Sequence, residues 1–267
     1  MLHQEEPAGG GTDAGAPGRR ASALGPVKVA SAVDEVADRL LTAIALGEFS
    51  VGERLPPERD LAAVLEVGRP TVRSAIGRLH ESGCLEVVRG RAGGHYVRAG
   101  WREESGPAVR RTLLPRWERI RELFDTRALV ESLVARTAAE RCTEEDSRAI
   151  ERALAAYVDA VGAGEPAGAR RADGALHAAI GRAARNEPLV RYARQLLADI
   201  GAGFPIEPFR GDRVEQALAD HRELSGAVVA GDADTAARVA RRHFVLTEET
   251  LRAALVRSLP DEDAASL

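Results

Sequence analysis

The chain has 267 residues, a formal charge of −4, 4% aromatic residues and two cysteines, Cys84 and Cys142. That length accommodates two domains with separate cores, and scarce aromatics beside abundant alanine predict cores of Leu, Val, Ile and Ala in closely packed helices. Two cysteines exclude a disulfide framework and a zinc knuckle and fit a reducing cytoplasm.

Residues 1–26 are Gly-, Ala- and Pro-rich, and their acids and glycines stand where a signal peptide needs a basic start and an apolar run. A disordered tail is expected there, with Arg19 and Arg20 as its basic residues. No later stretch approaches the roughly twenty apolar residues that span a bilayer, so a soluble, cytoplasmic protein with no membrane partner is expected.

Residues 27–98 form the first predicted domain. Val33, Val36, Ala37, Leu40, Leu41 and Ile44 mark an amphipathic helix. Leu61, Ala62 and Leu65 share one helical face; Val72, Ile76 and Leu79 share another after a break at Val67-Gly68. Two helices joined so tightly cross steeply. Pro57 and Pro70 fit first turns and Gly83 fits a left-handed helix end. Leu85 to Val88 and His95 to Val97 read as strands around turn chemistry at Arg89 to Gly94, which makes a two-stranded wing.

Arg69, Thr71, Arg73 and Ser74 gather at the start of the second helix of the pair, the end that a recognition helix presents to base edges. Arginine can donate two hydrogen bonds to guanine, and threonine can bond a phosphate or pack on a thymine methyl. From Arg69 to Arg98 there are six arginines against Glu81 and Glu86, so the local charge is positive. Glycine 52 through Ala62 (GERLPPERDLA), Val67 through Arg73 (VGRPTVR), Arg78-Leu79, Gly83 and Arg89-Gly90 together resemble the N-terminal domain of the GntR superfamily of bacterial transcription regulators. The resemblance implies that Arg59, Arg69, Thr71 and Arg73 contact DNA and that Arg89, Gly90 and Arg91 of the wing tip reach the minor groove. Gly68 departs from the family pattern, in which a serine or threonine usually precedes the recognition arginines, so weaker backbone anchoring is expected.

Residues 99–115 are polar and broken, which suits a linker with room for one short helix. From residue 116 to 257 the pattern is helical, with breaks at Cys142-Thr143, Gly162 to Gly168, Asn186 to Pro188 and Gly201 to Arg213. About six helices and no strands are expected, in a compact bundle, followed by a tail over 258–267. The fold class is therefore mainly α: an N-terminal winged helix-turn-helix domain with a β-hairpin wing, then an all-α bundle.

Asp173, Leu176, His177 and Ile180 share a face, which puts an aspartate and a histidine one turn apart and inward. His221 lies close to the stripe of Val214, Leu218 and Val228, and His243 follows the stripe of Ala236, Val239 and Ala240. One carboxylate and three imidazoles suit a divalent ion, zinc first, with nickel, manganese or iron also compatible. The Asp173-x-x-x-His177 spacing, His221 after Asp220, and His243 after Arg241-Arg242 resemble the sensing (FCD) domain of the FadR branch of that superfamily. In its metal-containing members these positions are the ligands. Leu176 stands where phenylalanine is usual, a change expected to alter packing.

Arg127 and Glu131 also face inward, on the stripe of Ile120, Phe124 and Val134. Two readings are open: a structural ion pair, or, as the resemblance implies, Arg127 binding the carboxylate of an effector. Asn186 matches a family loop residue and equally suits a turn cap. The resemblance implies a regulator, not an enzyme: a homodimer on palindromic double-stranded DNA, answering to a small organic acid. A metal-dependent hydrolase or lyase fused to a DNA-binding domain and a sensor of the metal itself are the alternatives.

Overall fold

Ser31 opens the first helix of the computed structural model, α1 (Ala32–Leu46): its hydroxyl accepts from the Asp34 N–H while the Asp34 carboxylate accepts from the Ser31 N–H, a reciprocal cap. The structure describes residues 31–90, 93–102, 104–201 and 211–260. The tail with Arg19 and Arg20, and Arg91 of the wing, lie outside the described residues.

Helix α2 (Glu58–Val64) and helix α3 (Arg69–Glu81) are joined by a short turn in which Glu66 is left-handed, φ 52°. Gly68 is the N-cap of α3 and Pro70 sits in its first turn. Gly83, φ 72°, reverses the chain into strand β1 (Leu85–Val88), which pairs antiparallel with β2 (Gly94–Val97) in the register Leu85↔Val97 to Val88↔Gly94. Val36, Leu40 and Ile44 of α1, Leu61 of α2, Val72, Ile76 and Leu79 of α3, and Leu85 and Val97 of the wing share one core. Burying that face of α3 leaves its N-terminal polar residues outward.

Residues 99–115 hold a helix, α4 (Ser105–Leu113), followed by a 3₁₀ turn at Leu114–Arg116. It is not a solvated connector: Ala108, Val109 and Leu113 are fully buried. Val109 and Leu113 pack with Ala43 and Leu46 of α1 and with residues of two long helices, Trp117 and Phe124 of α5 (Trp117–Arg141) and Leu251 and Leu255 of α10 (Ala233–Ser258). Pro107 reads as a breaker, but in the first turn of α4 its missing N–H breaks no helical bond.

Between α5 and α10 come α6 (Glu144–Gly162), α7 (Pro166–Ala183), α8 (Glu187–Gly201) and α9 (Gly211–Ala230). Among the described residues this part has no strand. Its core is alanine-rich: Ala135 and Ala138 of α5, Ala179 and Ala183 of α7, and Ala236 and Ala240 of α10 pack with Ile150, Leu176, Leu224 and Val239. Small residues let three helices come close enough for their inward polar side chains to meet. No helix of the described residues is long and apolar enough to cross a membrane.

Candidate functional site

Arg59 in the first turn of α2, Arg69 and Arg73 at the start of α3, and Arg89 and Gly90 at the wing tip are all exposed; Thr71 is half-buried. Burial of Val72, Ala75 and Ile76 fixes this orientation, since it turns the opposite side of α3 to solvent. Arg73 is already engaged: its Nε and Nη2 donate to the Glu58 carboxylate at 3.2 and 2.7 Å, which ties the two helices together across their turn. α3 has no side-chain cap, because Gly68 offers no hydroxyl. The wing is fastened to α3 by two imidazoles. His80 Nδ1 donates to the Leu85 carbonyl at 3.0 Å, leaving Nε2 to accept from His95 Nδ1 at 2.8 Å.

The second site lies inside the bundle. Asp173 and His177 of α7, His221 of α9 and His243 of α10 each offer a ligand atom, and these atoms lie within 4.8 Å of one another. His221 Nε2 is 3.1 Å from both His177 Nε2 and Asp173 Oδ1, and His177 Nε2 is 3.7 Å from Asp173 Oδ2. A divalent ion with donors at about 2.1 Å sets neighbouring donors roughly 3.0 to 3.4 Å apart, so the Asp173, His177 and His221 atoms are close to coordinating separation, with His243 within 4.8 Å of them. Burial, then the neighbouring imidazoles, hold His177 and His221 well below the ordinary histidine range. Both are thus neutral, the form that binds metal.

Outer partners complete the centre. His243 Nδ1 faces the fully buried Asp220 Oδ2 at 3.7 Å, which leaves Nε2 for coordination. Asp220 Oδ1 accepts from Arg242 Nε at 2.9 Å and from Gln216 Nε2 at 3.0 Å. Burial pushes this carboxyl up, but His243 and Arg242 outweigh it, and Asp220 stays below the ordinary carboxylate range. An ionised carboxylate behind a ligating imidazole orients the ring and raises its basicity.

A cleft opens beside the four ligands, lined by Asp173, His243, Arg127, Tyr157, Arg213 and Phe244, among others. Arg127 is 3% exposed; its guanidinium carbon stands 4.6 Å over the Phe244 ring, and its Nε is 3.8 Å from Glu131. The ion pair and the cleft wall are thus parts of one arrangement. Asn186 is elsewhere: its Oδ1 accepts from the Leu189 N–H at 3.2 Å, which caps α8, and it does not line this cleft. Sequence reasoning did not single out Arg213, Tyr157 or Phe244. Tyr157 continues the α6 stripe of Ile150 and Leu154, and its ring meets His221 edge-on with centroids 4.6 Å apart.

Comparison with known proteins agrees with this division. The profile for bacterial regulatory proteins of the gntR family matches residues 32–94, and that for the FCD domain matches residues 122–246. An HTH-type transcriptional regulator of Mycobacterium tuberculosis is 35% identical over 212 residues, 77% of this chain and 84% of that one. The Uxu operon transcriptional regulator of Escherichia coli is 29% identical, over 76% and 80% of the two chains. LutR of Bacillus subtilis is 28% identical, over 77% and 94%. Among solved structures, Streptococcus agalactiae GntR is 27% identical and covers 81% of this chain, with a TM-score of 0.43. These relatives are transcriptional regulators, not enzymes. This chain belongs to the GntR family of DNA-binding transcription regulators, in the group that carries an FCD domain.

Proposed function

We propose that this protein is a cytoplasmic, homodimeric repressor whose hold on a palindromic operator is set by a small organic acid bound at a metal-containing pocket of the helical part. The observation that carries the reading is the convergence of Asp173, His177, His221 and His243 within 4.8 Å beside a cleft walled by Arg127. A divalent ion there, zinc first, would supply Lewis-acid positions for carboxylate oxygens. Arg127, held by Phe244 and Glu131, offers the guanidinium donors that suit a carboxylate. Arg213 stands across the cleft with Glu249 as its partner at 2.9 Å.

Arg59, Arg69, Thr71 and Arg73 read the major groove in this proposal, and the wing tip with Arg89, Gly90 and Arg91 follows the minor groove. One recognition helix covers only a few base pairs, so useful specificity needs two half-sites and hence a dimer. In this reading the domain limits are 27–98 and 116–257, with the segment between them carrying the signal.

The test is metal analysis of chelator-free protein, joined to operator binding and thermal shifts against a panel of small carboxylic acids. About one ion per chain, lost in His221→Ala, with an acid that stabilises only the metal-loaded protein and weakens operator binding, is expected. No bound metal would refute the pocket, and operator release by chelation alone would make the ion itself the signal.

A further inference from the structure

A crevice of about 230 Å³ lies where the end of α1, the segment between β2 and α4, and the helices α9 and α10 meet. Leu46 of α1, Trp101, Arg213 of α9, and Ala253, Ala254 and Arg257 of α10 line it, and among the described residues no aspartate or glutamate does. Its two charged groups are both guanidiniums. The Arg257 guanidinium carbon stands 4.4 Å over the Trp101 ring, and no carboxylate pairs with Arg257 among the described residues. Arg213 Nη1 donates to Glu249 Oε2 at 2.9 Å, and Glu249 itself lies outside the lining.

Stacking on the indole uses the face of the Arg257 guanidinium and leaves its in-plane N–H groups to donate. Two guanidiniums at one hollow, one of them matched by Glu249, leave one positive charge unmatched. A carboxylate supplies that match with the fork geometry a guanidinium prefers, whereas an ammonium would meet like charge. Charged donors beside the apolar Leu46, Ala253 and Ala254 are the make-up of a pocket for a small organic molecule. The volume equals that of roughly eight water molecules at about 30 Å³ each.

We infer that this crevice is a second ligand site, distinct from the cleft beside Asp173 and the three histidines, which takes a compact organic carboxylate with Arg257 as its recognition group. The carboxylate accepts from Arg257 and Arg213 while the hydrocarbon packs against Trp101, Leu46 and Ala254. Arg213 and Thr250 wall both hollows, so an occupant of one touches residues that the other uses. Leu46 ends α1 and Arg257 stands in the last turn of α10. Occupancy therefore holds these two helix ends together and favours the placement of α1 seen here.

The experiment is calorimetric and tryptophan-fluorescence titration of the metal-stripped full chain with cyclohexanecarboxylate, with cyclohexylmethylamine as the charge-reversed control. Wild type is expected to bind the acid saturably, with a change in emission that is absent in Trp101→Phe. Arg257→Gln is expected to weaken binding roughly tenfold or more, and Ala253→Phe, at an exposed wall position, to block it. Equal acid affinity in wild type and Arg257→Gln, amine binding as tight as acid binding, acid binding only after metal is restored, or no saturable binding at millimolar acid would each overturn the assignment. Failure of the metal-side pocket leaves these outcomes unchanged, because the titration is run without metal.

Discussion

Glu48, in the turn after α1 and 5% exposed, makes a quantitative prediction about stability. Burial pushes its carboxyl up to about 8 from an ordinary 4.5; Arg170 nearby opposes the shift and Glu53 adds to it. The unfolded chain releases this proton near 4.5 and the folded chain only near 8. Between those values the folded state holds more protons, so stability is complete below about 4.5 and declines as pH rises to about 8. At 1.36 kcal/mol per pH unit, the window from about 4.5 to about 8 amounts to roughly 5 kcal/mol, and about 3 kcal/mol of it is gone by pH 7. That is a large part of the 5–15 kcal/mol that typically holds a domain together.

Glu48→Gln keeps the shape and removes the titration. Urea unfolding of both proteins from pH 5 to 8.5 isolates the Glu48 contribution, because every other titrating group is common to both. The two are expected to be similar at pH 5, with the variant progressively more stable above it and ahead by several kcal/mol at pH 8.5. Parallel profiles, with a constant difference across the range, would refute the burial of an uncompensated carboxyl at this position.

Asp220→Asn, which keeps the Arg242 contact but removes the charge behind His243, is expected to lower metal affinity about 10- to 100-fold in competition with a chromophoric chelator; unchanged affinity would place Asp220 in a purely structural role. Gly68→Ser adds a hydroxyl at an N-cap where a Cβ meets only ordinary contacts, the nearest at 3.5 Å. A gain of a few tenths of a kcal/mol in stability and tighter operator binding are expected, and weaker binding on a fluorescence titration would count against the phosphate-contact reading. Arg73→Ala should weaken operator binding roughly ten- to a hundredfold, while loss of the exposed Arg73–Glu58 pair leaves stability little changed; full affinity would mean that α3 is not the recognition helix.

Elements with strong local periodicity were legible in the sequence. The helix pair, the left-handed Gly83 and the wing follow from spacings within a dozen residues, and the α7 ligands were readable because positions 173 and 177 fall one turn apart. Burial of α4 was missed, although Ser105, Ala108, Val109, Thr112 and Leu113 keep helical spacing, because Gly106 and Pro107 read as breakers and the apolar stripe is short. Glu48 was missed for a different reason. It sits in a polar turn after α1, and what buries it includes Arg170, more than a hundred residues away. Arg213 and Tyr157 likewise meet the cleft through packing between helices, which no local pattern encodes. Asn186 shows the limit of likeness, since the same residue type serves here to cap α8.

The bundle and the winged helix are joined through elements that also touch the ligand sites. Helix α10 carries His243 and Phe244 at the cleft and, two to three turns on, Leu251 and Leu255 in the core shared with Val109 and Leu113 of α4 and Ala43 and Leu46 of α1. Helix α7 carries Asp173 at the ligand cluster and, one turn earlier, Arg170 in its ion pair with Glu53. A shift of either helix on ligand binding therefore cannot leave the seat of α1 and α2 unchanged, because close-packed contacts of this kind exchange between discrete arrangements and do not stretch. Coupling is a free energy between sites and runs both ways. If α7 and α10 carry it, Arg170→Ala, a substitution outside the four candidate ligands and outside α3, will reduce the factor by which an acid changes operator affinity and, equally, the factor by which operator DNA changes acid affinity. A factor unchanged from wild type would show that the two sites do not share these helices as their connection.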